Sequence, residues 1–211
     1  MAKTPPVTIL GILKVSFMTT AILLICGIFP VPILRHQVSD DIADKIHNLY
    51  LERLDKLPLQ DIKYSDYIQA DRLIILEKDI PELLAEMDAC KDEFIKASRL
   101  SITEGELQYW VQDYRDKGNY IQRHHHGLDG ISGVYWIISE NAHPLILHNP
   151  NPMADYVNFI DRGTTAFTED KFTFHGKKGM LLLFPSYLQH EVEPSAENNT
   201  VRATLAFNYV Y

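Results

Sequence analysis

Three consecutive imidazoles, His124, His125 and His126, sit beside a β-forming run, and a fourth, His190, lies far downstream. Along an extended strand side chains alternate between faces, so His124 and His126 point one way and His125 the other. Imidazole ligates iron, zinc, copper and nickel. Two same-face histidines with His190 would supply three ligands and leave coordination positions open. A closed structural zinc site takes four ligands, commonly thiolates, and neither Cys26 nor Cys90 has a partner at ligand spacing. The pattern therefore points to an open metal site of His124, His126 and His190. Arg202 follows twelve residues after His190, within the apolar-rich run 200–208. A guanidinium buried there needs an anionic partner. Its fork matches a carboxylate, and Thr204, on the same strand face, offers a hydroxyl. Plainer readings stand beside these: a surface histidine cluster in a turn, a satisfied core His190, and an Arg202 paired with a structural carboxylate such as Asp113.

These side chains need strands to carry them. After Gly105 the hydrophobic period becomes alternating, which predicts strands over 107–114, 120–126, 131–139, 145–148, 171–175, 180–184 and 201–209, with a hairpin turn at 116–119. By the same alternation Tyr120 and Gln122 share His124's face and are candidate pocket-lining groups; Tyr135 and Asn208 are further neighbours. Upstream, 29–34 reads as an entry strand. Ser39 is a candidate N-cap before Asp40 and Asp41, for a helix to about Leu57. Asp79 is a candidate cap for a second helix with Pro81 in its first turn and Leu83, Leu84, Met87, Cys90, Phe94 and Ile95 as its apolar stripe. Helices followed by many short strands predict antiparallel β architecture with a helical buttress.

The bulk properties fit one globular domain. The chain has 211 residues, 46% hydrophobic and 23% charged, with a net charge of −8 and no basic run. This argues against a broad nucleic-acid face, which needs clustered Lys and Arg, and leaves room for a small local basic pocket. Two cysteines imply no disulfide framework. Residues 1–28 form an apolar leader, and 29–211 a single domain. The apolar run 7–29, broken by Lys14, has the length of a bilayer span and makes membrane association an open reading. It reads equally as an upstream extension with a start at Met18, or as a hydrophobic arm packed on the domain.

In combination the segments resemble the 2-oxoglutarate- and Fe(II)-dependent oxygenases of a type frequent in phage and marine bacterial sequences. The resemblance runs from Phe29-Pro30-Val31-Pro32 through Trp110, Gly118, His124, His126 and Ser132-Gly133-Val134-Tyr135-Trp136. It continues with Phe184-Pro185-Ser186, His190, Pro194, Arg202, Thr204, Phe207 and Asn208, and covers most of the chain. It implies a double-stranded β-helix (jelly-roll) core with Fe(II) as metal and 2-oxoglutarate as co-substrate. Arg202 and Thr204 would hold the far carboxylate of 2-oxoglutarate, with Tyr120 and Gln122 lining its pocket, and an unidentified prime substrate would be hydroxylated. The wider superfamily carries a carboxylate two residues after the first histidine. Here that position is His126, so the site is either all-histidine or completed by Asp129. No residue is assigned a separate acid–base role.

Two rival functions are compatible with the same residues: a cupin-like all-histidine metal enzyme without 2-oxoglutarate, and a metal-free jelly-roll binding or virion module. Loop 149–168 is a candidate lid. Because Fe(II) and 2-oxoglutarate are cytosolic supplies, the catalytic domain is expected in the cytoplasm, anchored or free.

Overall fold

The computed structural model describes residues 13–16 and 22–28 by their backbone, and 31–56, 68–100, 105–115, 118–128, 130–140, 143–150, 170–196 and 201–211. The expected lid, the expected 116–119 turn and Asp129 fall wholly or largely outside these residues.

Among the described residues strands form two sheets in which every pairing is antiparallel. Those of the large sheet are β1 (Leu13–Ser16), β2 (Ile22–Ile28), β3 (Val31–Gln37), β4 (Ile68–Ala70), β5 (Glu106–Tyr114), β7 (Gly130–Ser139), β10 (Met180–Pro185) and β12 (Arg202–Val210). Their order is β1-β2-β3-β10-β7-β12-β5-β4. The small sheet has β6 (Ile121–His124), β8 (Leu145–His148), β9 (Lys171–Phe174) and β11 (His190–Val192), in the order β6-β11-β8-β9. The two sheets face each other as the open halves of a jelly roll.

Strand alternation divides one chain between two cores. On β10, Leu181 and Leu183 face the helices, while Met180, Leu182 and Phe184 face the small sheet. On β7, Tyr135 and Ile137 take the first side and Val134 and Trp136 the second. Central strands covered on both faces read as continuous apolar runs, which is why β10 is Met-Leu-Leu-Leu-Phe-Pro. The helical layer is α1 (Asp40–Glu52), the single turn α2 (Leu76–Asp79) and α3 (Pro81–Ser98). Ile46 and Tyr50 of α1 and Leu83, Met87 and Phe94 of α3 supply its buried face.

Several local expectations are corrected. Helix α1 stops at Glu52 and passes into a 3₁₀ turn, Leu54–Lys56. Ser39 occupies its N-cap position without a side-chain capping bond. Asp79 does not cap α3, whose N-cap is Ile80. Its carboxylate instead accepts from Arg53 Nη1 (2.6 Å), Arg53 Nη2 (3.0 Å) and the Ile75 N–H (2.8 Å). That guanidinium holds Asp79 down at about 2. In the apolar run 7–29 the described parts are β1 and β2, which extend the large sheet through β3. Among the described residues no helix is long and apolar enough to cross a membrane.

Candidate metal centre

β6 and β11 are neighbours in the small sheet, and their register sets His190 directly opposite His124. The two rings lie 4.3 Å apart, centroid to centroid. β6 ends at His124, so His126 is not a ladder residue. Its backbone N–H leaves the small sheet and donates to Ser186 O across the gap (2.9 Å). Gly127, with φ of 103°, then turns the chain through a conformation closed to most L-residues. The His126 ring lands 4.9 Å from His124 and 5.1 Å from His190, with Trp110 at 6.4 Å. One ligating nitrogen from each of the three lies within 4.8 Å of the others.

Two of these rings are locked in orientation. His124 Nδ1 is 2.7 Å from Gln122 O, and His190 Nδ1 is 2.8 Å from Leu188 O. A carbonyl can only accept, so each Nδ1 carries the proton and each Nε2 keeps its lone pair. This is how a metal-ligating histidine is prepared by its outer partners. Burial, reinforced by the neighbouring imidazoles, lowers His190 to about 3 and His126 to about 4. Both are neutral at ordinary pH, as ligation requires. His125 turns away, and its Nδ1 accepts the Gly127 N–H (3.1 Å).

The histidines open into a cavity between the sheets, also lined by Trp110, Gln112, Arg202 and Asn208, with a volume of about 30 Å³. Arg202 is fully buried, and its Nε, Nη1 and Nη2 have no hydrogen-bond partner among the described residues. Burial pulls its guanidinium below the ordinary value. Its Cζ sits 4.8 Å from the Tyr114 ring centroid and 5.8 Å from that of Trp136. Gly176 makes room for this stack, since a Cβ there would meet Trp136 at 2.0 Å. The structural partner weighed for Arg202 is engaged elsewhere: the Asp113 carboxylate takes Arg115 Nε (2.7 Å) and the Tyr50 hydroxyl. A buried fork with three unsatisfied donor nitrogens fits a carboxylate ligand, and three clustered imidazoles, two of them preoriented, fit a divalent transition metal.

The other expected residues are distributed as follows. Thr204 is fully buried beside Arg202 with an unpartnered Oγ1, but it is not among the residues lining the cavity. Gln122 is exposed and Tyr120 half-buried, and neither lines the cavity. The β6–β11 pairing shifts register between His190 and Val192, so Ile121 and His124 reach inward from the same strand. Tyr135 lies in the helix-side core, away from the histidines, and burial raises its hydroxyl's pKa. Asn208 does line the cavity. The aromatic stack on Arg202 is absent from the sequence-level expectations, because it depends on cross-strand register.

No curated protein matches this chain. Among solved structures, a prolyl-4-hydroxylase of Pseudomonas putida is similar at a TM-score of 0.59 and 14% identity, covering 85% of this chain and 92% of its own. A prolyl hydroxylase of Trichoplax adhaerens, solved with a peptide fragment of hypoxia inducible factor, reaches 0.54 and 15%, covering 89% and 83%. The non-heme alpha ketoglutarate dependent carbocyclase SnoK of nogalamycin biosynthesis reaches 0.57 and 11%, covering 84% and 79%. At these identities the likeness is one of fold. A family model described as "Putative 2OG-Fe(II) oxygenase" matches residues 108–208. That stretch carries the three histidines and Arg202, and the 2OG-Fe(II) oxygenase family that it resembles takes Fe(II) and 2-oxoglutarate.

Proposed function

We propose that this chain is an Fe(II)- and 2-oxoglutarate-dependent dioxygenase, working as a hydroxylase within one domain of residues 29–211. His124, His126 and His190 hold the metal, with Asp129 as the alternative to His126. Arg202 and Thr204 hold the distal carboxylate of 2-oxoglutarate. The bound metal supplies oxygen activation. Overall, a substrate C–H bond, O₂ and 2-oxoglutarate give an alcohol, succinate and CO₂. The protein contributes orientation: fixed Nε2 lone pairs at one place in the cavity, and a fixed cationic fork deeper within it. Val134, Leu145 and Val192 line the cavity with apolar side chains.

The observation that carries this reading is Arg202, a fully buried cation with every guanidinium nitrogen unpartnered, facing the cavity that the three histidines share. The test is anaerobic titration of the full chain with Fe(II) and then 2-oxoglutarate. A visible charge-transfer band and succinate release on admitting oxygen are expected. Arg202→Ala should weaken 2-oxoglutarate binding by about 100-fold, the effect of losing two charge-assisted hydrogen bonds. Unchanged 2-oxoglutarate affinity in that variant overturns the reading in favour of an all-histidine enzyme that does not use this co-substrate.

A further inference from the structure

Arg202 is held by rings from both neighbouring strands. Tyr114 stands directly opposite it on β5, and Trp136 comes from β7 on the other side of β12. The Tyr114 hydroxyl donates to Gln112 Oε1 (3.2 Å), which pins one end of that ring. A third ring joins the group. His143 lies between β7 and β8, where the chain passes from the large sheet to the small one. Its ring centroid is 5.4 Å from that of Tyr114, with the planes 34° apart. Contact therefore runs from His143 to Tyr114 to Arg202 to Trp136.

The backbone does not favour a bulky ring at this place. His143 has φ of 48°, a left-handed conformation that glycine and asparagine enter at less cost. The side chain is nevertheless tied down. Its Nδ1 donates to Asn119 O (3.0 Å), and Asn119 Oδ1 accepts the Arg115 N–H (2.8 Å) just beyond the end of β5. Burial holds the imidazole below the usual histidine value, opposed by the Asn119 carbonyl and reinforced by the nearby charge of Arg202. At neutral pH the ring is therefore uncharged and sets no second cation beside the guanidinium.

The consequence is electrostatic. Arg202, Tyr114, Trp136 and His143 are each at most 1% exposed, so solvent does not reach the guanidinium past these rings. A charge pair in dry surroundings attracts several times more strongly than one in contact with water. A dry wall behind Arg202 leaves its donors to a ligand that enters through the cavity.

We infer that His143 is a positioning residue for the co-substrate: its ring backs Tyr114 where the chain crosses between the sheets, and so keeps water from the guanidinium that receives the distal carboxylate. His143 touches neither co-substrate nor metal and acts through Tyr114 and Arg202. This deepens the oxygenase reading and rests on it.

The test separates the ring from the hydrogen bond. His143→Asn suits the left-handed backbone and keeps a side-chain donor for Asn119 O, but removes the ring. His143→Phe keeps a ring and removes the donor. Affinity for 2-oxoglutarate is measured on the full chain by anaerobic titration with Fe(II) present, alongside iron content and Tm. His143→Asn should weaken 2-oxoglutarate binding by about tenfold with iron content unchanged, and folded His143→Phe should stay within about threefold of wild type. A second readout needs no co-substrate. With Trp110→Phe as parent, Trp136 is the remaining tryptophan. Its emission should shift to the red when His143→Asn is added, as water enters beside Arg202. The inference is overturned if His143→Asn binds 2-oxoglutarate like wild type, or if it leaves Trp136 emission unchanged. It is equally overturned if folded His143→Phe is impaired as much as His143→Asn, because the bond to Asn119 would then be the working element. A wild-type chain that binds no 2-oxoglutarate instead defeats the oxygenase reading itself.

Discussion

His124 and His190 face each other across β6 and β11 with ring centroids 4.3 Å apart, and each donates its Nδ1 proton to the carbonyl two residues before it. The same local device therefore acts on both strands. It fixes the tautomer before any metal arrives, so these two ligands do not have to reorganise on binding. His126 has no such lock and comes from beyond the strand end.

This asymmetry predicts unequal losses. His124→Ala and His190→Ala should lower Fe(II) affinity by at least about 100-fold, since each removes a preoriented ligand. His126→Ala and Asp129→Ala, measured separately by iron content after dialysis, identify the third ligand. His126→Asp should keep iron bound, because a carboxylate there restores the charge that an imidazole lacks. Full iron content in His190→Ala is the result that removes the metal assignment.

Arg202 gives a prediction of opposite sign for stability and binding. Its buried, unpartnered cation works against folding of the ligand-free chain. Arg202→Met should therefore stabilise that chain by about 1–4 kcal/mol, raising Tm by about 2–4 °C per kcal/mol. The same variant should lose the Tm increase that 2-oxoglutarate gives the wild type. Thermal melts with and without 2-oxoglutarate check both halves, and a lower Tm in the ligand-free variant contradicts the premise.

Gly176 links backbone to site. Adding a methyl group there forces Trp136 away from its place beside Arg202. Gly176→Ala should cost about 1–3 kcal/mol, the usual effect of overpacking, and should also weaken 2-oxoglutarate binding. Denaturant melts and co-substrate titration measure the two effects. A stability loss with unchanged affinity would show that Trp136 packs without orienting Arg202.

The histidines and Arg202 are legible in the sequence because their information is local: a period of two, an apolar run and a buried-type cation. What lay beyond local pattern was register. Tyr120 and Gln122 follow from uninterrupted alternation, and the irregular β6–β11 pairing puts Ile121 inside instead. Tyr114 and Trp136 become the faces of the Arg202 stack only once β5 and β7 flank β12. The short strand β11 is three residues long and too brief to show a period. The run 22–28 is apolar throughout, a pattern that a spanning segment and a buried strand share; pairing with β3 is what distinguishes them. Asp79 reads as a cap by position, yet Arg53 claims its carboxylate from twenty-six residues away.

His190 sets the response of the metal-free chain to acid. Its folded value is about 3, against about 6.5 for an unperturbed histidine, so the folded state binds its proton later than the unfolded state does. Above pH 6.5 neither state is protonated, and His190 contributes nothing to the pH dependence. As pH falls from 6.5 toward 3 the unfolded state takes up a proton that the folded state refuses, and stability declines. The slope from this one group is at most about 1.4 kcal/mol per pH unit. His126, lowered to about 4, adds to the same limb with a smaller weight because it is partly exposed. His190→Asn should flatten the decline in urea melts of metal-free protein between pH 6.5 and 4. Bound Fe(II) should steepen it, because protons then compete with the metal for the same Nε2 lone pairs. A wild-type profile that is flat across this interval would mean that His190 titrates normally and is not buried as a neutral ligand.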